Sequence, residues 1–291
     1  MSERMTKRMS DRLAVRKTYK LYIGGAFPRS ESGRSYPVTD TKDRFVANAS
    51  HASRKDVRDA VSAARKAFGG WSGRTAYNRA QILYRIAEML EGRRDQFITE
   101  LRHTGASKTQ AANEVDAAID RWVWYAGWAD KISTVAGAAN PVSGPFFNFS
   151  TPEPTGVVGI IAPDSPLLGL VSVVAPAIVT GNTTVVIASE PAPLPAITLA
   201  EVLATSDLPG GVINILTGHR TELAPWLASH MDVNAIDLTG VPDADVPSLE
   251  DAAAGNLKRV FRASEDWADD PGTARMTAFL EVKTVWHPVG V

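Results

Sequence analysis

Gly156-Val157-Val158-Gly159-Ile160-Ile161-Ala162-Pro163 is the stretch on which the fold turns. Val157, Val158, Ile160 and Ile161 are all apolar and β-branched with no polar alternation, the pattern of a strand buried on both faces. Pro163-Asp164-Ser165-Pro166 then cuts the apolar run between Gly156 and Gly181 into pieces too short to cross hydrocarbon, so the run reads as a buried strand followed by a buried helix. Toward the carboxyl terminus the same rhythm recurs, with strands predicted at 184–187, 212–216, 235–238 and 258–261 and a helix in every gap. Ser248 with Asp251 predicts the cap of the last of these helices and Gly255 its end. Near-continuous Val/Ile strands joined by helical crossovers predict an α/β fold with a doubly wound parallel sheet covered on both faces. Such sheets bind ligands beyond the carboxyl ends of their strands, which places a candidate site after Ile161, Ile187, Leu216 and Leu238.

Toward the amino terminus the pattern is helical. Residues 20–23 form a short strand candidate before the Gly24-Gly25 turn. Ser53-Arg54-Lys55-Asp56 has the layout of a capping box, and Val57, Ala60, Val61, Ala64 and Phe68 recur at helical spacing up to Gly69-Gly70. Two longer helices are predicted over 75–101 and 110–132, each with one apolar stripe. Trp122, Trp124 and Trp128 are assigned to packing, since no basic groove accompanies them. Residues 136–154 change to Gly, Pro and Ser with alternating Phe147 and Phe149, which predicts an extended hairpin leaving the main body. Residues 279–286 alternate Leu280, Val282 and Trp286 with Glu281 and Lys283, a terminal strand whose open edge needs a partner.

Composition narrows the chemistry. The chain has 291 residues, 44% of them hydrophobic, and 31 Lys plus Arg against 32 Asp plus Glu, so its net charge of −1 offers no field for nucleic acid or an anionic membrane. It contains no cysteine, which excludes disulfides, thiolate-ligated metals and every thiolate nucleophile. There is no G-x-G-x-x-G turn, no Walker A loop and no H-E-x-x-H, and His51, His103, His219, His230 and His287 are too scattered for a metal site. Asp164 and Glu190 fall where a site is expected, and carboxylates in loops are most often simply solvated. Residues 1–18 read as a flexible basic arm rather than a transit peptide because Glu3 and Asp11 interrupt the positive charge, and with no secretory pattern a cytoplasmic location is expected.

The order of segments resembles the aldehyde dehydrogenase superfamily. Leu21-Tyr22-Ile23-Gly24-Gly25, Ala67-Phe68-Gly69-Gly70-Trp71-Ser72, Tyr125-Ala126-Gly127-Trp128-Ala129-Asp130-Lys131, the 156–163 stretch, Leu208-Pro209-Gly210-Gly211-Val212-Ile213-Asn214, Leu238-Thr239-Gly240 and Asn256-Leu257-Lys258-Arg259-Val260 all resemble it. The tail Glu281-Val282-Lys283-Thr284-Val285-Trp286 is similar to the family's closing strand. The resemblance implies a coenzyme domain, a catalytic domain with a cysteine nucleophile, and an oligomerisation element built from a hairpin and that closing strand. It divides this chain into a coenzyme-domain-like part at 19–138 and 155–263, the hairpin and terminal strand at 139–154 and 276–291, and a linker at 264–275 where a catalytic domain is expected.

Position by position, the chemistry implied by the family is missing. The asparagine that would stabilise an oxyanion is matched by Asp164-Ser165, and a carboxylate repels developing negative charge. The general-base glutamate is matched by Ala263. The ribose-binding lysine after the second strand is gone, leaving Ile187-Ala188-Ser189 with Glu190 as the remaining acceptor, and His219-Arg220-Thr221-Glu222 follows Thr217-Gly218 where the family has further glycines. Val241 stands in place of a serine. Each loss removes about 1–2 kcal/mol, so together they weaken nucleotide binding on the order of a thousandfold. No catalytic residue and no metal ligand is therefore expected. Ala162, Pro163, Ala188, Glu190, Thr217, Gly218, Thr239 and Gly240 are the degenerate positions for residual NAD(P), and Phe147, Phe149, Leu280, Val282, Thr284 and Trp286 are the candidate oligomerisation residues. The function expected from this pattern is an inactive subunit that assembles with a full-length aldehyde dehydrogenase or with itself. A nucleotide-binding regulatory protein is the alternative, and aldehyde oxidation by the chain itself a third reading.

Overall fold

The computed structural model describes residues 17–290, so the expected arm lies outside the described residues except for its last two positions. Those two are already structured. Lys17 pairs with Glu201 at 2.9 Å, and β1 (Thr18–Tyr19) lies parallel to β3 (Phe45–Ser50), which pairs antiparallel with β2 (Ser35–Thr39). The strand predicted at 20–23 forms two isolated bridges instead, Tyr22 with Ile215 and Ile23 with Ala26 around the positive-φ turn at Gly24 and Gly25. Tyr22 and Ile215 exchange N–H···O bonds of 2.9 and 2.8 Å, and so cover one edge of the main sheet.

Helix α1 (Arg54–Ser72) carries the expected reciprocal cap between Ser53 and Asp56, but it runs through Gly69-Gly70. The extra turn is held by Trp71, fully buried, whose indole N–H donates to the Ile178 carbonyl at 2.9 Å. The helix predicted over 75–101 is two, α2 (Ala76–Glu91) and α3 (Arg94–Arg102), because Gly92 ends the first. The next, α4 (Lys108–Ala126), starts at a Ser107/Gln110 capping box and stops at Gly127, short of the predicted 132. A brief α5 (Ile132–Ala136) leads to β4 (Ala138–Asn140) and β5 (Phe146–Pro154).

The main sheet comprises β6 (Val157–Ile161), β7 (Thr183–Ile187), β8 (Ile213–Leu216), β9 (Ala235–Asp237) and β10 (Arg259–Phe261), all parallel, in the order β10-β9-β6-β7-β8. The direction of winding reverses at β6, which creates a switch point between β6 and β9. The crossovers are α6 (Leu168–Val179), α7 (Leu194–Leu203), α8 (Arg220–Ala228) and α9 (Val246–Ala254). Inside strands that are apolar throughout, a period of two still sorts the faces. Val157, Ile161, Val185 and Ile187 pack with α1, α8 and α9, whereas Val158, Ile160 and Val186 join the larger core with α2, α3, α4, α6 and α7. Helix α9 corrects the predicted cap: it begins at Val246, and the Ser248 hydroxyl lies inside the first turn, donating to the Asp245 carbonyl at 2.8 Å. Pro247, with no N–H to lose, favours that earlier start. Among the described residues no helix is long and apolar enough to cross a membrane.

The predicted irregular segment 264–275 crosses the molecule as a strap and enters α10 (Ala274–Ala278), which hands over to β11 (Leu280–Pro288). Two buried arginines fasten it. Arg121 of α4 donates to the Trp267 and Asp269 carbonyls, both at 3.0 Å, and to the Ser172 hydroxyl. Arg275 pairs with buried Asp237 at the end of β9 and with Glu265, and its guanidinium lies 4.6 Å from the centre of the Phe261 ring. Beyond the strap, β11 runs antiparallel to β5 over nine residues, Leu280 opposite Pro154 through Pro288 opposite Phe146, and β4 pairs with the other side of β5.

Candidate functional site

Loops after β6, β7, β8 and β9 converge at the carboxyl edge of the sheet. The first supplies Ala162, Pro163, Asp164 and Ser165, the second Ala188, Ser189 and Glu190, the third Thr217, Gly218, His219 and Arg220, and the fourth Thr239, Gly240 and Val241. The predicted positions thus share one edge of the sheet, where an open cavity of about 540 Å³ is lined by Asp164, Glu190, His219 and Arg220 with Tyr36 to Thr39 of β2; of the predicted positions only Asp164 and Glu190 line it. A smaller slot of about 210 Å³ opens between α8 and α9, with Ala224, Pro225, Val241 and Leu249 among its walls.

Most of the polar groups here are already engaged. Glu190 accepts from the His219 ring Nδ1 at 2.6 Å with one oxygen and from the Arg220 backbone N–H at 3.0 Å with the other. Burial pushes this carboxyl upward, but the His219 bond, the Arg220 N–H and the charges of both residues outweigh it and hold Glu190 below the usual carboxylate range. The Arg220 guanidinium donates to the Gly240 carbonyl and lies 3.9 Å from Asp164, which in turn accepts from Ser189 Oγ at 3.3 Å. One side chain therefore ties the exits of β6, β8 and β9. The His219 ring packs edge-on against His51 at 4.6 Å between centroids and at 5.7 Å from Tyr36. His51 pairs with Glu222 at 3.1 Å.

Other predicted positions serve the scaffold. The Thr217 hydroxyl donates to the Ser50 carbonyl and its own carbonyl receives the Ala52 N–H, so it locks the amino-terminal sheet onto β8. Gly218 has φ 147° and lies against His51 and Leu223. The Thr239 hydroxyl accepts from Arg275 at 3.1 Å, and the Gly240 N–H donates to the Ile161 carbonyl at 3.0 Å. A Cβ at Gly240 would meet the Ala162 carbonyl oxygen, so only glycine allows the loops after β6 and β9 to close together. Ser165 Oγ accepts the Gly169 N–H at 3.0 Å at the start of α6, Asp164 offers no hydrogen-bond donor when ionised, and Ala263 has nothing to ionise. The bridging of Arg220 was not legible in the sequence, where it registered only as a bulky residue in a glycine position.

An aldehyde dehydrogenase family model matches residues 27–262, most of the chain. The chain belongs to the aldehyde dehydrogenase family. It is 35% identical over 250 residues to cytosolic aldehyde dehydrogenase 1 of Elephantulus edwardii, covering 83% of this chain and 49% of that protein. To human retinal dehydrogenase 2 it is 36% identical over 248 residues, covering 83% of this chain and 47% of that one. The fold superposes on an NAD+ complex of aldehyde dehydrogenase from Bacillus cereus with a TM-score of 0.81 at 27% identity, over 84% of this chain and 50% of that chain. The chain spans about half the length of the curated relatives it matches. Compared with the dinucleotide that the family fold implies, the residues of this aldehyde dehydrogenase homologue do not fit: Glu190 already accepts a hydrogen bond on each oxygen from its own chain, the Arg220 side chain reaches across to the Gly240 carbonyl, and Val241 offers no hydroxyl.

Proposed function

We propose that this chain is a catalytically inactive aldehyde-dehydrogenase-like subunit that assembles with a full-length NAD(P)-dependent aldehyde dehydrogenase and stabilises or regulates it. The observation that carries this reading is the small sheet β11-β5-β4, which puts a nine-residue strand at an edge and leaves apolar side chains in water on both of its faces. Val282 is 65% exposed, Trp286 55% and Phe147 53%. Phe149 and His287 stack at 5.7 Å, as do Phe146 and Trp286 edge-on, so the aromatic groups are held in place before any partner arrives. An ordered apolar edge strand of this length is a template for strand addition or sheet stacking. On this reading 264–275 stands in place of a catalytic domain, 139–154 with 276–291 form the assembly element, and Asp164-Ser165 and Ala263 stand where the family resemblance implies an oxyanion-binding asparagine and a general-base glutamate.

Co-expression with a full-length aldehyde dehydrogenase of the same host, followed by native mass spectrometry, tests the proposal. A mixed oligomer that is lost in Val282→Asp/Trp286→Asp supports it. A stable monomer, or a homo-oligomer that excludes the longer chain, refutes it.

A further inference from the structure

The polar groups at the carboxyl edge of the sheet are paired with one another across the crevice. We infer that Arg220 and His219 are an internal substitute for a ligand: they pair with the acceptors and bridge the loops that the ribose and phosphates of a dinucleotide would use, so the folded chain excludes NAD(P) by its own side chains. Three observations converge on this. His219 and the Arg220 N–H each take one of the two Glu190 oxygens, so both carry a partner from the chain itself. The Arg220 guanidinium reaches from the start of α8 to the Gly240 carbonyl beyond β9, lying within 3.9 Å of Asp164 beyond β6. The N-terminal turn of α8, whose free N–H groups make such a terminus an anion site, has its first N–H spent on Glu190, a carboxylate from the same chain. Asp164 and Glu190 face Arg220 and His219 inside the cluster, so a diphosphate entering it would have to break an ion pair and a short hydrogen bond while meeting two carboxylates.

This inference concerns the isolated chain and does not rest on its assembly with any partner. Its test is calorimetric titration of the purified chain with NAD+ and NADP+ up to about 5 mM, a concentration that detects even millimolar affinity. The wild-type chain is expected to give no saturable heat, and His219→Ala/Arg220→Ala to gain saturable binding, an increase of about tenfold or more in affinity. Arg220→Ser, which removes the bridge but keeps a hydroxyl donor, replaces the double variant if circular dichroism shows that the latter is unfolded. Saturable binding by the wild-type chain overturns the inference. So does a flat titration of a folded variant, because the obstruction would then lie elsewhere.

Discussion

The two larger sheets of this molecule use the same strand chemistry to opposite ends. In β6 and β7 every residue is buried, and helices cover both faces. In β11 only Leu280 is buried, although Val282, Val285 and Trp286 are as apolar as the residues of the core strands. The main sheet spends its apolar surface on the stability of its own chain. The small sheet keeps that surface available, and its cross-strand pairs, Ser150 with Thr284 at 2.9 Å and Lys283 with Glu153 at 3.1 Å, set register and add little stability.

The strap is where this contrast breaks most sharply. Arg275→Met leaves buried Asp237 with the Thr239 N–H but without its cationic partner and is expected to cost about 3–5 kcal/mol in urea denaturation, whereas Arg275→Met/Asp237→Leu recovers most of it. Within the main sheet, Ile160→Ala opens a cavity in a fully buried site, with an expected loss of about 2–5 kcal/mol. On the small sheet, Val282→Ala changes the stability of the isolated chain by less than about 0.5 kcal/mol, and a larger loss would show that this face is already covered.

The subtlest expected effect is one of pH. Burial raises the Glu100 carboxyl above its usual value despite bonds from Thr198 at 2.7 Å and Tyr19 at 2.8 Å. Its folded-state pKa therefore lies above its unfolded one, so its contribution is fully present at acid pH below the unfolded value and declines as pH rises through the folded value. Melting temperatures of wild type and Glu100→Gln, compared from about pH 4 to pH 8 by scanning calorimetry, are expected to favour the variant increasingly toward the upper end.

How much was legible differs from element to element for physical reasons. The capping box at Ser53 and the bounds of β6 depend on neighbours in sequence, and both were read correctly. The break at Gly92 was missed because the apolar stripe continues through Phe97 and Leu101 on the far side, and the overrun at Gly69-Gly70 because Trp71 finds its partner at Ile178, more than a hundred residues away. The carboxyl edge was expected to hold a site from the alternation of strands and helices alone, yet nothing in the local pattern around Arg220 says that its side chain reaches Gly240.

Periodicity, β-branched runs and the order of matching segments were enough to establish an α/β parallel sheet of the aldehyde dehydrogenase family, because burial on two faces writes itself into every strand. Long-range polar geometry was not available at that level. Arg121 and Arg275 read as ordinary helix and loop charges until packing removes them from water and leaves the strap carbonyls, Asp237 and Glu265 as their partners. The same holds for the pairing across the crevice, since which donor meets which acceptor depends on loops brought together only when the sheet closes.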